Sequence, residues 1–293
     1  MKLSIITINR NNAAGLRRTL ASVAAQTYQN IEHIIIDGGS TDGSVEVLRE
    51  YDNTIKQQRC VTIDKSTIQV KWISESDNGI YDAMSKGVKK ASGDYIWILN
   101  SGDCVAAADT VGRMMEVISH HTPSIPLLLG NIVKIYPDGR KVSEKRSNTN
   151  NTVPIPLDTS MLTFYRGTVP QDAAFVRRDL FDKYGLFDPK LKIVSDWKLY
   201  LNMIALGDII PMYVNIDVVH FDMSGVSNTN ASKRDAEKRA YLEEILPASV
   251  LKDYDAYSFP IEQYQRLKKY HLWGLVWFIE RVLFKLEKWH FMK

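Results

Sequence analysis

The chain has 293 residues, 45% hydrophobic and 24% charged, which suits one large domain or two small ones with an ordinary soluble core. A net charge of +3 is too small for nucleic acid to be the main partner, and two cysteines, Cys60 and Cys104, exclude a disulfide framework or a Cys-based zinc site. No apolar run reaches the roughly 18 residues of a spanning helix. The N-terminus enters a strand directly, without the apolar core and cleavage site of a signal peptide, so a reducing, cytoplasmic setting is expected.

Residues 1 to 105 alternate strand and helix. Strands are expected at 3–8, 31–36, 70–74 and 95–99, and helices at 12–26, 42–51, 79–91 and 107–121. Leu16, Leu20 and Val23 give the first helix its apolar face, with Asn11 or Asn12 as its cap. Ile80, Ala83, Met84, Gly87, Val88 and Ala91 share one face of the third. Repeated βα units of this length predict a parallel sheet with helices on both sides. After residue 122 the pattern changes. Segments 127–136 and 140–143 flank Pro137-Asp138-Gly139, a hairpin turn. Segment 144–159 is polar and aperiodic, and reads as a mobile loop that orders over substrate. Residues 173–176 read as a strand, 195–206 as a helix with Gly207 past its end, and 233–246 as a mostly polar helix.

Two turns carry the first chemical signal. Asp37-Gly38-Gly39-Ser40-Thr41-Asp42-Gly43 follows the apolar run 31–36, and Asn100-Ser101-Gly102-Asp103 follows the fourth strand. A carboxylate at the carboxyl end of such a strand sits where open α/β sheets bind ligands, and the glycines allow a sharp turn and close approach. Two such turns in one sheet point to a nucleotide and a metal in one crevice.

Taken together, several segments resemble the family 2 inverting glycosyltransferases. They are Ser4-Ile5-Ile6-Thr7, the Asp37 turn, Glu75 to Ala83, Ala91 to Asp103, Ser195-Asp196-Trp197 and Gly225-Val226-Ser227, in family order. The resemblance covers about residues 1 to 227 and implies a GT-A fold: a Rossmann-like, mostly parallel sheet flanked by helices. The implied domain spans 1–230, with a nucleotide-sugar half (1–105) and an acceptor half (106–230), followed by a helical extension at 231–293.

The same resemblance implies the roles. Asp37 would accept hydrogen bonds from the donor base, most often uracil. Thr7, Asn9, Asn11, Asp77, Asn100, Ser101 and Gly102 would line the nucleotide-sugar crevice. Asp103 would hold Mg²⁺ or Mn²⁺ against the donor diphosphate, with His220 as a further ligand. Asp196 would be the base that takes the proton of the attacking acceptor hydroxyl. Gln171, Asp172 and Trp197 would line the acceptor side. Three departures stand out: Asn100 and Gly102 replace carboxylates frequent in the family, Met84 replaces a frequent Arg, and Asn9-Arg10-Asn11 replaces Thr-Tyr-Asn. They loosen the choice of nucleotide while leaving the reaction class intact.

The charge is concentrated in the tail: seven Lys/Arg and three Glu in 261–293 give +4, leaving −1 for the first 260 residues. In a helix over 272–289, Leu272, Leu275, Val276, Ile279, Leu283 and Leu286 share one face, while Trp273, Trp277, Phe284 and Phe291 cluster elsewhere beside Arg281 and Lys288. Aromatic and basic residues together suit a lipid headgroup interface. The expected partners are a nucleotide-sugar donor and a saccharide or lipid-linked saccharide acceptor, with peripheral attachment to the inner membrane face; docking on the catalytic domain or a homodimer contact stays open. A sugar nucleotidyltransferase would need a Gly-rich basic loop near the N-terminus, where Thr7 to Asn12 has one Arg and no Gly. A dinucleotide dehydrogenase would need Gly-x-Gly-x-x-Gly, which the Asp37 turn lacks. A non-catalytic sugar- or nucleotide-binding module is opposed by the retention of Asp103 and Asp196.

Overall fold

The structure, a computed structural model, describes residues 1–61, 68–145, 153–157, 159–223 and 230–269, with 272, 274, 277–279 and 281–284 of the tail. Its first half is a parallel sheet. Strands β1 (Leu3–Asn9), β2 (Ile31–Asp37), β3 (Gln69–Ser74) and β4 (Tyr95–Ile98) lie in the order β3-β2-β1-β4. Every residue of β1 and β2 is buried, as expected for Ile-rich strands covered on both faces. The connections are helices α1 (Ala13–Ala24), α2 (Ser44–Val61) and α3 (Ile80–Lys90). Asn12 caps α1 by accepting the Gly15 N–H at 3.1 Å. Helix α2 runs further than its apolar signal suggested, because Tyr51 and Ile55 extend its buried face through an otherwise polar stretch.

Beyond β4, past the βα repeats, the sheet is mixed, in keeping with a mostly parallel sheet and the change of pattern after residue 122. After β5 (Cys104–Val105) and α4 (Thr110–His120) come β6 (Leu127–Ile135), β7 (Lys141–Glu144) and β8 (Ile155–Pro156). Then follow α5 (Met161–Arg166), a short 3-10 turn (Gln171–Ala173), β9 (Ala174–Arg177), α6 (Asp179–Tyr184), α7 (Ser195–Ile204) and β10 (Met212–Asp222). The sheet continues β4-β9-β6-β10-β5, with β9 antiparallel to both neighbours and β10 parallel to β6. The expected hairpin forms between β6 and β7, turning at Gly139 with φ +81°. Trp97 of β4 stacks on Phe175 of β9 with ring centres 5.0 Å apart, joining the two halves through one core.

Helices α8 (Ala231–Ile245) and α9 (Ala248–Lys269) follow. The chain divides into two compact units, Met1–Arg239 and Ala240–Lys293. The first part of α8, placed by sequence in the extension, thus belongs to the first unit. Among the described residues no helix is long and apolar enough to cross a membrane. Residues 146–152 of the predicted loop, Gly225-Val226-Ser227, and Trp273, Leu275, Val276, Leu286, Lys288 and Phe291 lie outside the described residues.

The register of the parallel half sets up the site. Asn9, Asp37 and Ser74 are aligned across β1, β2 and β3 at their carboxyl ends. At the opposite end, buried Glu32 pairs with Lys2 at 3.1 Å and Lys71 at 3.0 Å and accepts the Ser4 hydroxyl at 2.6 Å. Burial alone would raise its pKa, but these bonds and that from Ser92 bring it down to about 2.

Candidate active site

A cavity of about 510 Å³ opens at the carboxyl ends of the parallel strands. Its wall includes Asn9, Arg10 and Asn12 after β1, Asp77 and Tyr81 around the start of α3, and the whole Asn100–Asp103 turn. Lys192 and Ile193 ahead of α7, and Phe221 and Asp222 at the end of β10, close the far side. A second cavity of about 510 Å³ lies beside α4, among Arg113, His120, His121 and Val153, and contains none of the residues singled out by sequence.

The Asn100–Asp103 turn is held from α1. The Thr19 hydroxyl donates to the Asp103 carbonyl at 2.7 Å and accepts the Gly102 N–H at 3.0 Å. Gly102 has φ +110°, a conformation L side chains rarely adopt, which explains the loss of a family carboxylate at this position. Asn100 donates to Asp172 Oδ1 at 3.2 Å, and its own side-chain oxygen is buried without a partner. Asp103 is 5% exposed and accepts the backbone N–H of Asp222 at 3.0 Å. Burial, then the charges of Asp172 and Asp222, push its carboxyl well above the usual carboxylate range. Asp172 is pushed up likewise by burial and the charge of Asp196.

Asp37 sits at the carboxyl end of β2, as expected, with its carboxylate engaged by the protein's own donors. It is fully buried and absent from the cavity wall. Its Oδ1 accepts Asn9 Nδ2 at 2.8 Å and the Ser40 hydroxyl at 2.6 Å; its Oδ2 accepts the Ser40 N–H at 2.9 Å and the Ser74 hydroxyl at 2.6 Å. Burial opposes the charge, yet these bonds outweigh it and hold the pKa below its ordinary value. With four protein donors, the carboxylate is the lock of the turn. The amide of Asn9 donates to Asp37, and its side-chain oxygen is buried without a partner. Gly38 is glycine because a Cβ there would lie 2.4 Å from the Asp77 carboxylate.

Asp196 begins α7. Its Oδ1 lies 2.9 Å from the Tyr81 hydroxyl, which also reaches the Ile193 carbonyl at 2.6 Å. Burial raises the Asp196 pKa, against the lowering effect of Tyr81. Asp196 thus reaches the cavity edge through two wall residues, Tyr81 and Ile193. Gln171 is 6% exposed, packs with its amide 3.9 Å from Met84 Sδ, and has a partnerless side-chain oxygen.

Four expectations change. Thr7 is buried and bonded to His33 at 2.9 Å, which in turn meets the Tyr51 hydroxyl at 2.9 Å, so it is a core residue. Asn11, with φ +50°, ties its loop to the Asp37 turn by accepting the Thr41 N–H at 2.8 Å and stays off the cavity wall. Trp197 is 2% exposed and donates to the Phe164 carbonyl at 2.9 Å, which leaves no face for a sugar ring. His220 is absent from the cavity wall; burial and Lys141 lower its pKa, and the neighbouring Phe221 and Asp222 face the cavity instead. Tyr81, Lys192 and Ile193 were missed. Tyr81 lay inside a family-like segment, but nothing in its local pattern marked its hydroxyl as a partner of Asp196.

The sequence profile described as Glycosyl transferase family 2 matches residues 4–185. A Mycobacterium tuberculosis protein described as an uncharacterized glycosyltransferase is 32% identical over 227 residues, 77% of each chain. The crystal structure of S. aureus TarS 1-349 with UDP-GlcNAc aligns at TM-score 0.60 and 19% identity, over 85% of this chain and 69% of that one. The mannosyltransferase PcManGT from Pyrobaculum calidifontis, with GDP-Man and Mn²⁺, aligns at TM-score 0.53 and 14% identity, over 94% and 86%. These structural likenesses establish the GT-A-like fold.

Proposed function

Because this chain belongs to glycosyl transferase family 2, we propose that it is an inverting enzyme that moves a sugar from a nucleotide-diphosphate donor to an acceptor hydroxyl. A UDP-sugar is the leading donor, and cell-surface polysaccharide or its lipid-linked precursor the product class. One observation carries this reading: a single cavity joins the Asn100–Asp103 turn to the Tyr81–Ile193 wall behind which Asp196 sits. The first is suited to a diphosphate, the second to a reacting hydroxyl. Asp196, held by Tyr81, takes the acceptor proton as oxygen attacks the anomeric carbon and the nucleotide diphosphate leaves from the opposite face. Inversion needs this one carboxylate and no enzyme nucleophile.

The base and ribose contacts fall to Asn9 and Asp77 on the cavity wall, with Asp37 holding Asn9 in place. Arg10 and Lys192, also on the wall, offer positive charge to the diphosphate where the family Arg is replaced by Met84. The buried oxygens around Asp103 suit a hard divalent cation, whose charge would relieve the repulsion that raises Asp103 and Asp172. Among the described residues no group of three or more His, Cys, Asp or Glu forms a complete metal site. Donor phosphate oxygens would complete a shell begun by Asp103. Bound there, Mg²⁺ or Mn²⁺ supplies charge stabilisation of the leaving diphosphate. Two solved neighbours, one with UDP-GlcNAc and one with GDP-Man and Mn²⁺, support a nucleotide-sugar donor and a divalent metal.

The test is nucleotide release from a panel of UDP-, GDP- and dTDP-sugars, with and without Mn²⁺. Metal-dependent release from at least one donor is expected; no metal-dependent response to any of them overturns the reading.

A further inference from the structure

Helix α8 carries a carboxylate and an ammonium at adjacent positions, both engaged with the region that bears Asp196. Glu237 accepts the backbone N–H groups of Lys192 at 3.0 Å, Ile193 at 2.9 Å and Val194 at 3.3 Å. These amides precede α7, whose N-cap residue is Val194, with no side-chain cap of its own. A carboxylate supplies the missing acceptors and complements the positive end of the helix. Ile193, held in this way, offers its carbonyl to the Tyr81 hydroxyl that also lies 2.9 Å from Asp196. One position on, Lys238 donates to the Gly167 carbonyl at 3.0 Å, and its ammonium sits 5.2 Å from the centre of the Trp197 ring. Neither Glu237 nor Lys238 belongs to the cavity wall.

We propose that Glu237 is a positioning residue for sugar transfer: it clamps the 192–194 backbone, which fixes the Tyr81 hydroxyl and with it the Asp196 carboxylate toward the acceptor. Lys238 braces the next residue of α7, Trp197, from the other side. The proposal rests on Asp196 as the base. It makes α8, a mostly polar helix with no family-like motif, a working part of the acceptor site.

The test uses the full-length chain, with the donor of the panel that turns over fastest. Glu237→Ala is expected to lower kcat about tenfold or more, with a smaller rise in the Kd for UDP because the Lys192 backbone is released as well; Glu237→Gln, which keeps the shape and one acceptor oxygen, recovers most of the loss. Amide hydrogen exchange at 192–194 speeds up in Glu237→Ala, and less in Glu237→Gln. Wild-type kcat in Glu237→Ala, or unchanged exchange at 192–194, overturns the proposal. Should the alanine protein fail to fold, the glutamine protein decides, since it must still show a lower kcat and faster exchange at these amides. Asp196→Asn runs in parallel: full turnover there removes the base reading itself, an outcome separate from any result at Glu237.

Discussion

On the proposed reading Asp196 and Asp103 serve the two ends of one reaction, and each can be isolated by a change of a single atom. Asp196→Asn keeps the shape at the head of α7 but removes the proton acceptor. Turnover should fall by roughly 10²–10⁴-fold, with UDP affinity within about twofold of wild type, as read by steady-state kinetics and calorimetry. Asp103→Asn should act on the other end: the Mn²⁺-dependent gain in UDP affinity disappears, while metal-free UDP binding stays. Both carboxylates were legible in the sequence because each follows a strand or opens a helix inside a recognisable run. Thr7, Trp197 and His220 lie off the cavity wall for a common reason. A strand or helix position tells what is near in sequence, but the face a side chain takes depends on partners such as His33, Phe164 and Lys141, which come from elsewhere in the chain. Asp37 is a subtler case. Its position at the carboxyl end of β2 is as expected, yet four donors from two strand ends and the turn already fill it.

Among the elements, β2 carries the clearest pH signal. His33 is buried between Thr7 and Tyr51, and burial lowers its pKa from 6.5 to about 3. The unfolded chain therefore takes up a proton near pH 6.5 that the folded chain refuses until about pH 3. This contribution is present in full above pH 6.5 and is lost as pH falls, by up to about 1.4 kcal/mol per unit. The carboxylate Glu32, lowered from 4.5 to about 2, loses its contribution only below pH 4.5, so above that pH the His33 contribution changes without it. Urea denaturation of wild type and His33→Gln between pH 6.5 and 5 should differ by this slope, because the raised carboxyls of Asp103 and Asp172, which act in the opposite sense, are common to both proteins. The Asn100–Asp103 turn makes a second element-scale prediction. Gly102→Ala imposes a side chain at φ +110° and should cost about 1–3 kcal/mol, or displace the turn and lower metal-dependent activity. Helices and parallel strands of the first half were readable from periodicity alone. The mixed second half was less so: β9 lies between β4 and β6 by long-range pairing, and β10 reaches Asp222 through irregular register near Asn215 and Asp217. No local pattern encodes either arrangement.

At the scale of the whole molecule, the second compact unit, Ala240–Lys293, holds the basic tail. Among its described residues, Trp277, Phe278, Ile279, Val282, Leu283 and Phe284 are exposed, and the Arg281 guanidinium lies 4.5 Å from the centre of the Trp277 ring. We propose that this surface attaches the protein peripherally to anionic lipid at the inner membrane face, near a lipid-linked acceptor. In co-sedimentation with vesicles containing phosphatidylglycerol, the full-length protein should pellet, and a Trp277→Ser, Phe278→Ser, Phe284→Ser variant should stay in solution. Equal pelleting sinks the idea, and a wild type that stays in solution as a dimer assigns the surface to a second copy instead. The amphipathic composition of the tail was visible in the sequence, whereas the clamp at Glu237 was not, because its three acceptor contacts cross from α8 to a loop with no motif. The Asp37 lock has one more consequence. Its partners, Asn9, Ser40 and Ser74, all lie within the first three strands and their turns, while Asp196 answers to Tyr81 and, through the backbone, to Glu237. On the proposed roles the base contacts lie in the amino-terminal block and Asp196 beyond it, with Tyr81 bridging the two, so exchange of that block between relatives should change the donor and leave the acceptor preference intact where Tyr81 is retained.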